Sequence, residues 1–152
     1  DVSVAQVTSY ENLFILTRKL CNSQEDIEEL FKRIVFNVLA LNYDDHTKNF
    51  SFIMNKKGIW SLSPAYDITY SKGMATQHLT TIGGKSKDFK MDDLLKIAKL
   101  HSIKNSKALE IINKTIEVIQ TFKNRAKEIN IEEATIKECT ENIEYQISLL
   151  NF

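Results

Sequence analysis

The helix-breaking residues of this chain are confined to one central stretch. All four glycines and the single proline fall between about residues 50 and 90. Glycine and proline are the residues that most destabilise a helix interior, so the two flanks can be helical while the centre cannot. We therefore expect a mainly α fold with an irregular centre. The length of 152 residues fits a single domain over residues 1–152.

Apolar residues recur at helical spacing on both sides of that centre. The clearest helix begins after Ser23-Gln24-Glu25-Asp26, a segment similar to a capping box, and ends where Asn42 begins. The same periodicity predicts four more helices, over about residues 10–20, 91–101, 108–127 and 132–150. The charged residues of the last three helices are typical of solvated faces rather than of a binding site.

The centre contains two short runs of β-prone residues, 50–54 and 59–62. The loop Asn55-Lys56-Lys57-Gly58 joins them and places glycine where a turn needs positive φ. This pattern predicts a small β-hairpin. We expect Trp60 and Tyr66 to pack under it, because large aromatic side chains are usually buried.

Composition excludes some classes of partner. Lys plus Arg and Asp plus Glu each count 20, so the net charge is zero and nothing in the totals favours nucleic acid or an anionic membrane. No apolar run approaches the roughly 20 residues of a membrane span. The first residues lack a signal-peptide layout, and we expect a cytoplasmic protein without a membrane partner. Cys21 and Cys139 match neither a zinc motif nor a disulfide framework and are expected to be reduced thiols.

A polar segment, residues 42–49, separates the strongest helix from the first β-prone run. Protein kinases place a magnesium-binding asparagine five residues after the catalytic aspartate, and Asp44 and Asn49 have that separation. The hairpin returns the chain to its own start, so Asp67 can face Asn49 across a magnesium ion. Asp and Asn are also common turn residues, and the spacing alone leaves a structural role open.

Two blocks carry a resemblance to a known family. Asn42-Tyr43-Asp44-Asp45-His46-Thr47-Lys48-Asn49 with Phe50-Ser51-Phe52, and then Leu62-Ser63-Pro64-Ala65-Tyr66-Asp67, resemble the Asn-x-Asp-x-His-x-Lys-Asn-Phe-Ser and Ala-Pro-x-Tyr-Asp blocks of the HipA-like serine/threonine kinase toxins. The similarity reaches from Ser9 to Lys85. It implies the helical C-terminal lobe of a protein-kinase-like fold. The residues before Asp44 contain no glycine-rich nucleotide lobe, so we expect that N-terminal lobe in another segment or a companion chain.

The resemblance also implies roles for residues. Asp44 matches the catalytic base, and Asn49 and Asp67 match the residues that hold Mg²⁺ against the phosphates of ATP. Ile68 and Thr69 follow Asp67 where other kinases have Phe-Gly. The function implied is that of a type II toxin–antitoxin kinase associated with persistence, which phosphorylates a protein hydroxyl and inhibits translation. The implied partners are a helix-turn-helix antitoxin, DNA only through that antitoxin, and a substrate such as an aminoacyl-tRNA synthetase.

His46 and Lys48 belong to the same block and are candidate catalytic residues. His46 is expected to orient the loop through hydrogen bonds, since Asp44 already has the role of base. Lys48 either neutralises the transferred phosphoryl group or pairs with Asp44 or Asp45 and holds the loop. Asp45 is the weaker candidate base.

Other functions stay open from the sequence. The chain could be a non-catalytic helical module that binds an antitoxin or another kinase piece, or a metal hydrolase that uses Asp44, Asp45, His46 and Asp67. Gly83-Gly84-Lys85-Ser86 ends like a Walker A loop, but Leu79 occupies the required glycine position, which excludes it. His78 and His101 stand alone and are expected to be structural.

Overall fold

A computed structural model describes residues 8–72 and 76–150. The predicted mainly α fold with a small antiparallel hairpin is confirmed. The helices of the described residues are α1 Tyr10–Cys21, α2 Gln24–Leu39, α3 Met91–Leu100, α4 Asn105–Gln120, α5 Phe122–Glu128 and α6 Glu133–Ser148. The strands are β1 Thr8–Ser9, β2 Phe52–Met54, β3 Trp60–Leu62 and β4 Thr80–Thr81, and a 3-10 turn spans Thr47–Asn49.

One predicted helix is in fact two. The expectation of a single helix over residues 108–127 is wrong, because α4 ends at Gln120 and α5 begins at Phe122. At the junction both the N–H and the Oγ1 of Thr121 donate to the Val118 carbonyl, at 3.1 and 2.7 Å. A threonine side chain that competes for a helix carbonyl tightens the last turn and bends the helix there.

Helix α2 is the centre of the core and packs against α1, α4, α6 and β3. Its apolar face is completely buried, as the helical periodicity predicts. The fully buried residues on it are Ile27, Leu30, Phe31, Ile34, Val35, Val38 and Leu39. At roughly 1.5–3 kcal/mol for each fully buried side chain of this type, this one face contributes a large share of the hydrophobic stabilisation.

The start of α2 forms only half of the predicted capping box. The Ser23 hydroxyl accepts a hydrogen bond from the Asp26 N–H at 3.2 Å, as expected. The Asp26 carboxylate does not turn back to the helix start. It accepts a hydrogen bond from the Leu62 N–H at 2.8 Å and so ties β3 to the first turn of α2.

The hairpin forms as predicted. Gly58 has φ of +77°, and β2 pairs antiparallel with β3. The Ser63 N–H donates to the Ser51 carbonyl at 2.9 Å, so the chain does return to the start of the hairpin. The expectation that Trp60 and Tyr66 are buried is wrong, since they are 37% and 42% exposed. The hydrogen bond from the Leu62 N–H to Asp26 ties the end of the hairpin to α2, while Trp60 and Tyr66 keep more than a third of their surface in solvent.

Strand β1 pairs in parallel with β4 and joins the start of α1 to the segment after the hairpin. Gly83 and Gly84 then form a tight turn in which Ile82 and Lys85 exchange both backbone hydrogen bonds, each 2.9 Å long. The Lys85 ammonium pairs with Asp93 of α3. The segment is thus a closed turn rather than a phosphate-binding loop.

Cys21 and Cys139 are both buried and carry free thiols. Burial raises the pKa of each thiol, as is usual for inert structural cysteines. None of the helices in the described ranges combines the length and the apolar character that crossing a membrane requires.

Candidate active site

Asp44 and Asn49 lie in the loop between α2 and β2. The Asn49 Nδ2 donates to the Asp44 carbonyl at 2.9 Å, which closes the loop and brings the two residues together. The Asp44 side chain is 48% exposed and can meet a substrate. The Asn49 Oδ1 makes no hydrogen bond to a protein group within residues 8–72 and 76–150 and can act as a ligand.

Asp67 lies in the loop after β3, where its side chain is exposed and its φ is +52°. Asn49 and Asp67 line the same small cavity at the junction of the two loops. The Tyr66 hydroxyl donates to the Lys48 carbonyl at 2.6 Å and links the loops directly. Asp67 and Asn49 therefore line one cavity, as the return of the hairpin predicts.

Asn49 and Asp67 carry side-chain oxygen atoms of the kind that can bind a magnesium ion. Mg²⁺ is usually held by one or two protein oxygen ligands, with substrate phosphates and waters completing the octahedron. In the described parts of the chain, no three His, Cys, Asp or Glu side chains are grouped to hold a metal ion. A site that relies on phosphates for part of its coordination sphere needs no such group.

Asp45 has a different environment from its neighbour. Its carboxylate is fully buried and accepts hydrogen bonds from Tyr10 Oη at 2.6 Å, His78 Nδ1 at 2.8 Å, and the Leu79 and Thr80 N–H groups at 2.9 and 3.0 Å. Burial, and then the Asp45 charge, raises the pKa of Tyr10 well above its ordinary value, so the hydroxyl stays a donor. Asp45 therefore braces the loop, which argues against both a role as base and the metal-hydrolase alternative.

The two histidines expected to be structural pack against aromatic rings, His78 in the core and His101 in a partly buried position. His78 is buried between the rings of Tyr43 and Phe89, with centroid distances of 4.6 and 5.3 Å. His101 stacks on Phe14 at 4.3 Å, and burial lowers the pKa of its imidazole. Both geometries agree with packing roles.

In the described part of the chain, His46 and Lys48 do not form the side-chain contacts with Asp44 and Asp45 that the sequence suggests. The His46 Nε2 lies 3.8 Å from the Asp44 Oδ1, which is too long for a hydrogen bond. The ring is therefore beside Asp44 without fixing it. Among the described residues, the Lys48 ammonium forms no ion pair with Asp44 or Asp45, so the alternative in which it holds the loop is not observed.

Sequence reasoning missed a set of buried polar residues behind these loops. Asn37 Nδ2 donates to Tyr10 Oη and Asn42 Nδ2 donates to Asn37 Oδ1, both at 3.1 Å, while Ser71 Oγ donates to Asn42 Oδ1 at 3.3 Å. Asn37 interrupts the apolar face of α2, and a buried amide needs hydrogen-bond partners. That interruption was a usable signal, whereas Ser71 carries no signal in the sequence.

Arg33 of α2 also lines the cavity that Asn49 and Asp67 share. Its Nη2 donates to the Ser63 carbonyl at 2.5 Å and its Nε donates to Glu29 at 3.1 Å. The side chain is only 7% exposed, so this cation lies inside the protein behind the Asp67 loop.

The chain is similar to one described protein family, to a named bacterial protein and to a solved structure. The model of the family described as "HipA-like C-terminal domain" matches residues 2–137. A Sinorhizobium fredii protein named "Putative kinase Y4dM" is 31% identical over an alignment of 100 residues that covers 62% of this chain and 24% of that protein. A solved structure of HipA and HipB of a Shewanella oneidensis toxin–antitoxin system with their operator DNA superposes with a TM-score of 0.68. That match has 18% identity and covers 91% of this chain and 34% of the other, and it shows the fold alone.

Proposed function

Because this chain belongs to the HipA-like C-terminal domain family, we propose that it is the catalytic lobe of an ATP-dependent serine/threonine protein kinase. The chain spans 24% of the curated relative and 34% of the solved structure that it matches. The lobe that covers the nucleotide would accordingly lie in another segment of a longer polypeptide or in a companion chain.

The observation that carries the proposal is the grouping of Asp44, Asn49 and Asp67. Asn49 is hydrogen-bonded to the Asp44 main chain and shares a cavity with Asp67. These are the residue types, in the same order along the chain, that kinases use for the base and the two metal ligands. Two loops separated by a hairpin bring them together, so the grouping is a property of the tertiary structure.

Asp44 is the proposed base. Its half-exposed carboxylate can accept the proton of a serine or threonine hydroxyl while that oxygen bonds to the γ-phosphorus and the bond from the γ-phosphorus to ADP breaks. Asp45 cannot substitute for it, because its carboxylate is enclosed and already accepts four hydrogen bonds.

Asn49 and Asp67 are the proposed ligands of Mg²⁺, through the amide oxygen and the carboxylate. When bound there, the ion would neutralise part of the phosphate charge of ATP. The Lys48 side chain is exposed and available to add positive charge at the transferred phosphoryl group. His46 lies beside Asp44, and its proposed role is to shape the surroundings of that carboxylate rather than to exchange its proton.

The family supports a biological setting for this kinase. We propose that it acts in a type II toxin–antitoxin system, with a helix-turn-helix antitoxin as partner and DNA reached only through that antitoxin. The Shewanella complex contains HipA, HipB and operator DNA, which is the observation behind this part of the proposal. The proposed substrate is a protein of translation, such as an aminoacyl-tRNA synthetase. We place the kinase in the cytoplasm, with a role in persistence.

The test is transfer of labelled γ-phosphate from Mg-ATP in the full-length protein, comparing wild type with Asp44→Asn and Asp67→Asn. Both side chains are exposed enough for the variants to fold, which circular dichroism checks. Loss of labelling in both variants with folding intact is the expected result. Labelling unchanged in the variants, or absent from the wild type, would sink the proposal.

A second candidate is a non-catalytic interaction module. Two adjoining grooves with largely apolar linings run along α2 and α4 and share Phe36, Ile68 and Val118. Such a surface could receive an antitoxin or another kinase piece. This candidate predicts that partner binding survives both aspartate substitutions, and that phosphate transfer is absent throughout.

A further inference from the structure

We propose that Asn42 is the positioning residue that fixes Asp44 and Asp67 relative to each other. The inference rests on the proposed function, in which these two aspartates act on one phosphoryl group. Asn42 touches no reacting atom. It follows α2, which ends at Leu39, and only 2% of its surface is exposed.

The side chain of Asn42 contacts both loops. Its Nδ2 donates to the Asp67 carbonyl at 3.4 Å. Its Oδ1 accepts from the Ser71 Oγ at 3.3 Å, and that same Oγ accepts from the Asp44 N–H at 3.0 Å. One amide group is thus joined directly to the main chain of Asp67, and through a single hydroxyl to the main chain of Asp44.

The direction of these hydrogen bonds is fixed by chemistry. The Asp67 carbonyl can only accept, so the atom of Asn42 that faces it is the nitrogen. A second series of hydrogen bonds, which starts at Asp45, leads to the same result. The Asp45 carboxylate can only accept from Tyr10 Oη, so the Tyr10 hydroxyl is a donor there and its oxygen accepts from Asn37 Nδ2. The remaining Asn37 Oδ1 accepts from Asn42 Nδ2 at 3.1 Å, which gives Asn42 the same orientation independently.

Asn42 is itself held rigidly. Its N–H donates to the Asn37 carbonyl at 2.9 Å, and Leu41 before it has φ of +55°. The Leu41 carbonyl accepts from the Ser71 N–H at 3.2 Å, so Ser71 is held from two sides. Because the Asn42 side chain is anchored to the core in this way, it can hold both loops in a fixed position relative to α2.

Asp67 needs such a support. Its φ of +52° lies in the left-handed region, which aspartate enters more readily than most residues but less readily than glycine, so surrounding contacts help to hold it there. The bond from Asn42 to the Asp67 carbonyl is a contact of that kind. Without it the carboxylate would sample other positions, and a displacement of about 1 Å can cost about 100-fold in rate.

The experiment uses the full-length kinase and compares Asn42→Asp, Ser71→Ala and the conservative Ser71→Thr. Asn42→Asp keeps the shape but removes the donor that faces Asp67. Ser71→Ala is the milder change and tests the link to Asp44 if Asn42→Asp does not fold. The matched control is Gln146→Glu, another buried amide, whose Nε2 donates to the Phe89 carbonyl in a different part of the core.

The expected result is a fall in kcat of about 10- to 100-fold for Asn42→Asp and Ser71→Ala, with the KM for ATP nearly unchanged. Ser71→Thr, which keeps the hydroxyl, should recover much of the rate, and Gln146→Glu should lose stability without this loss of kcat. A kcat within about twofold of wild type in both Asn42→Asp and Ser71→Ala overturns the inference. If Asp67→Asn still abolishes transfer, the proposed function stands.

Hydrogen exchange gives a readout that does not depend on activity. If Asn42 couples the loops, peptides covering residues 43–50 and 63–72 both exchange faster in Asn42→Asp, or in Ser71→Ala if the former does not fold, and not in Gln146→Glu. Faster exchange in one of these peptides alone overturns the coupling. Absence of phosphate transfer in the wild type would sink the proposed function separately, and the exchange result would still decide whether Asn42 joins the two loops.

Discussion

Asp44 and Asp45 are adjacent in the chain, yet the Asp45 carboxylate is fully buried with four hydrogen-bond donors while the Asp44 side chain is 48% exposed. The donors to Asp45 come from α1 and from the segment leading into β4, 33 to 35 residues away. One aspartate therefore anchors the loop so that the other can be presented to a substrate.

The first prediction contrasts these two neighbours. Asp45→Asn should lower the free energy of unfolding by about 3 kcal/mol, because an amide NH₂ would face groups that donate to the carboxylate. Asp44→Asn should change it by less than about 0.5 kcal/mol, as expected for a half-exposed side chain. Urea denaturation followed by circular dichroism measures both. Equal effects would show that Asp45 is not the structural member of the pair.

The second prediction concerns the hydrogen bond from the Leu62 N–H to Asp26. Asp26→Ala should destabilise the protein by about 1–3 kcal/mol and speed hydrogen exchange in β3, because the buried end of the hairpin loses a charged acceptor. Glu25→Ala is the control, since Glu25 is also acidic, lies in the same first turn and is exposed. An identical loss in both variants would assign the effect to the helix N-terminus instead.

The third prediction follows from the lowered pKa of His101. Burial holds the folded-state pKa below 6.5, so the unfolded chain binds more protons between the two values. This contribution to stability is complete above about pH 6.5 and declines as the pH falls toward the lowered pKa. We expect a smaller loss of stability between about pH 7.5 and about pH 5.5 in His101→Phe, which keeps the stacking on Phe14. Identical pH dependence in wild type and variant would exclude His101 as the titrating group.

The fourth prediction concerns the turn at Gly84. Its φ is +79°, and an added Cβ would meet no atom within 4 Å. Gly84→Ala should therefore cost about 1 kcal/mol through backbone conformation alone. Lys87→Ala, at an exposed position nearby, should be neutral. Thermal denaturation separates the two, and a neutral Gly84→Ala would contradict the left-handed conformation.

Much of the local structure could be predicted from the sequence. The location of the helix breakers predicts the mainly α fold and the central hairpin, and helical periodicity identifies the buried face of α2. The separation of Asp44 and Asn49, and the return of the hairpin, predict that Asp67 comes to the same cavity. These features depend on short stretches of chain, whose periodicity and turn chemistry reflect the local backbone directly.

The sequence by itself thus determined most of the helices, the hairpin and the meeting of the loops that carry Asn49 and Asp67. The tertiary structure decided the break at Thr121, the pairing of β1 with β4, and what each residue at the meeting of the loops does. Nothing local distinguishes Asp44 from Asp45, marks Ser71 as a link, or shows that the hairpin leaves Trp60 exposed. Burial and hydrogen bonding at these positions depend on groups about 30 residues away in the chain, such as Tyr10 for Asp45 and Asn42 for Ser71. Only the packing of α1, α2 and the segment before β4 around the loop brings those partners into contact.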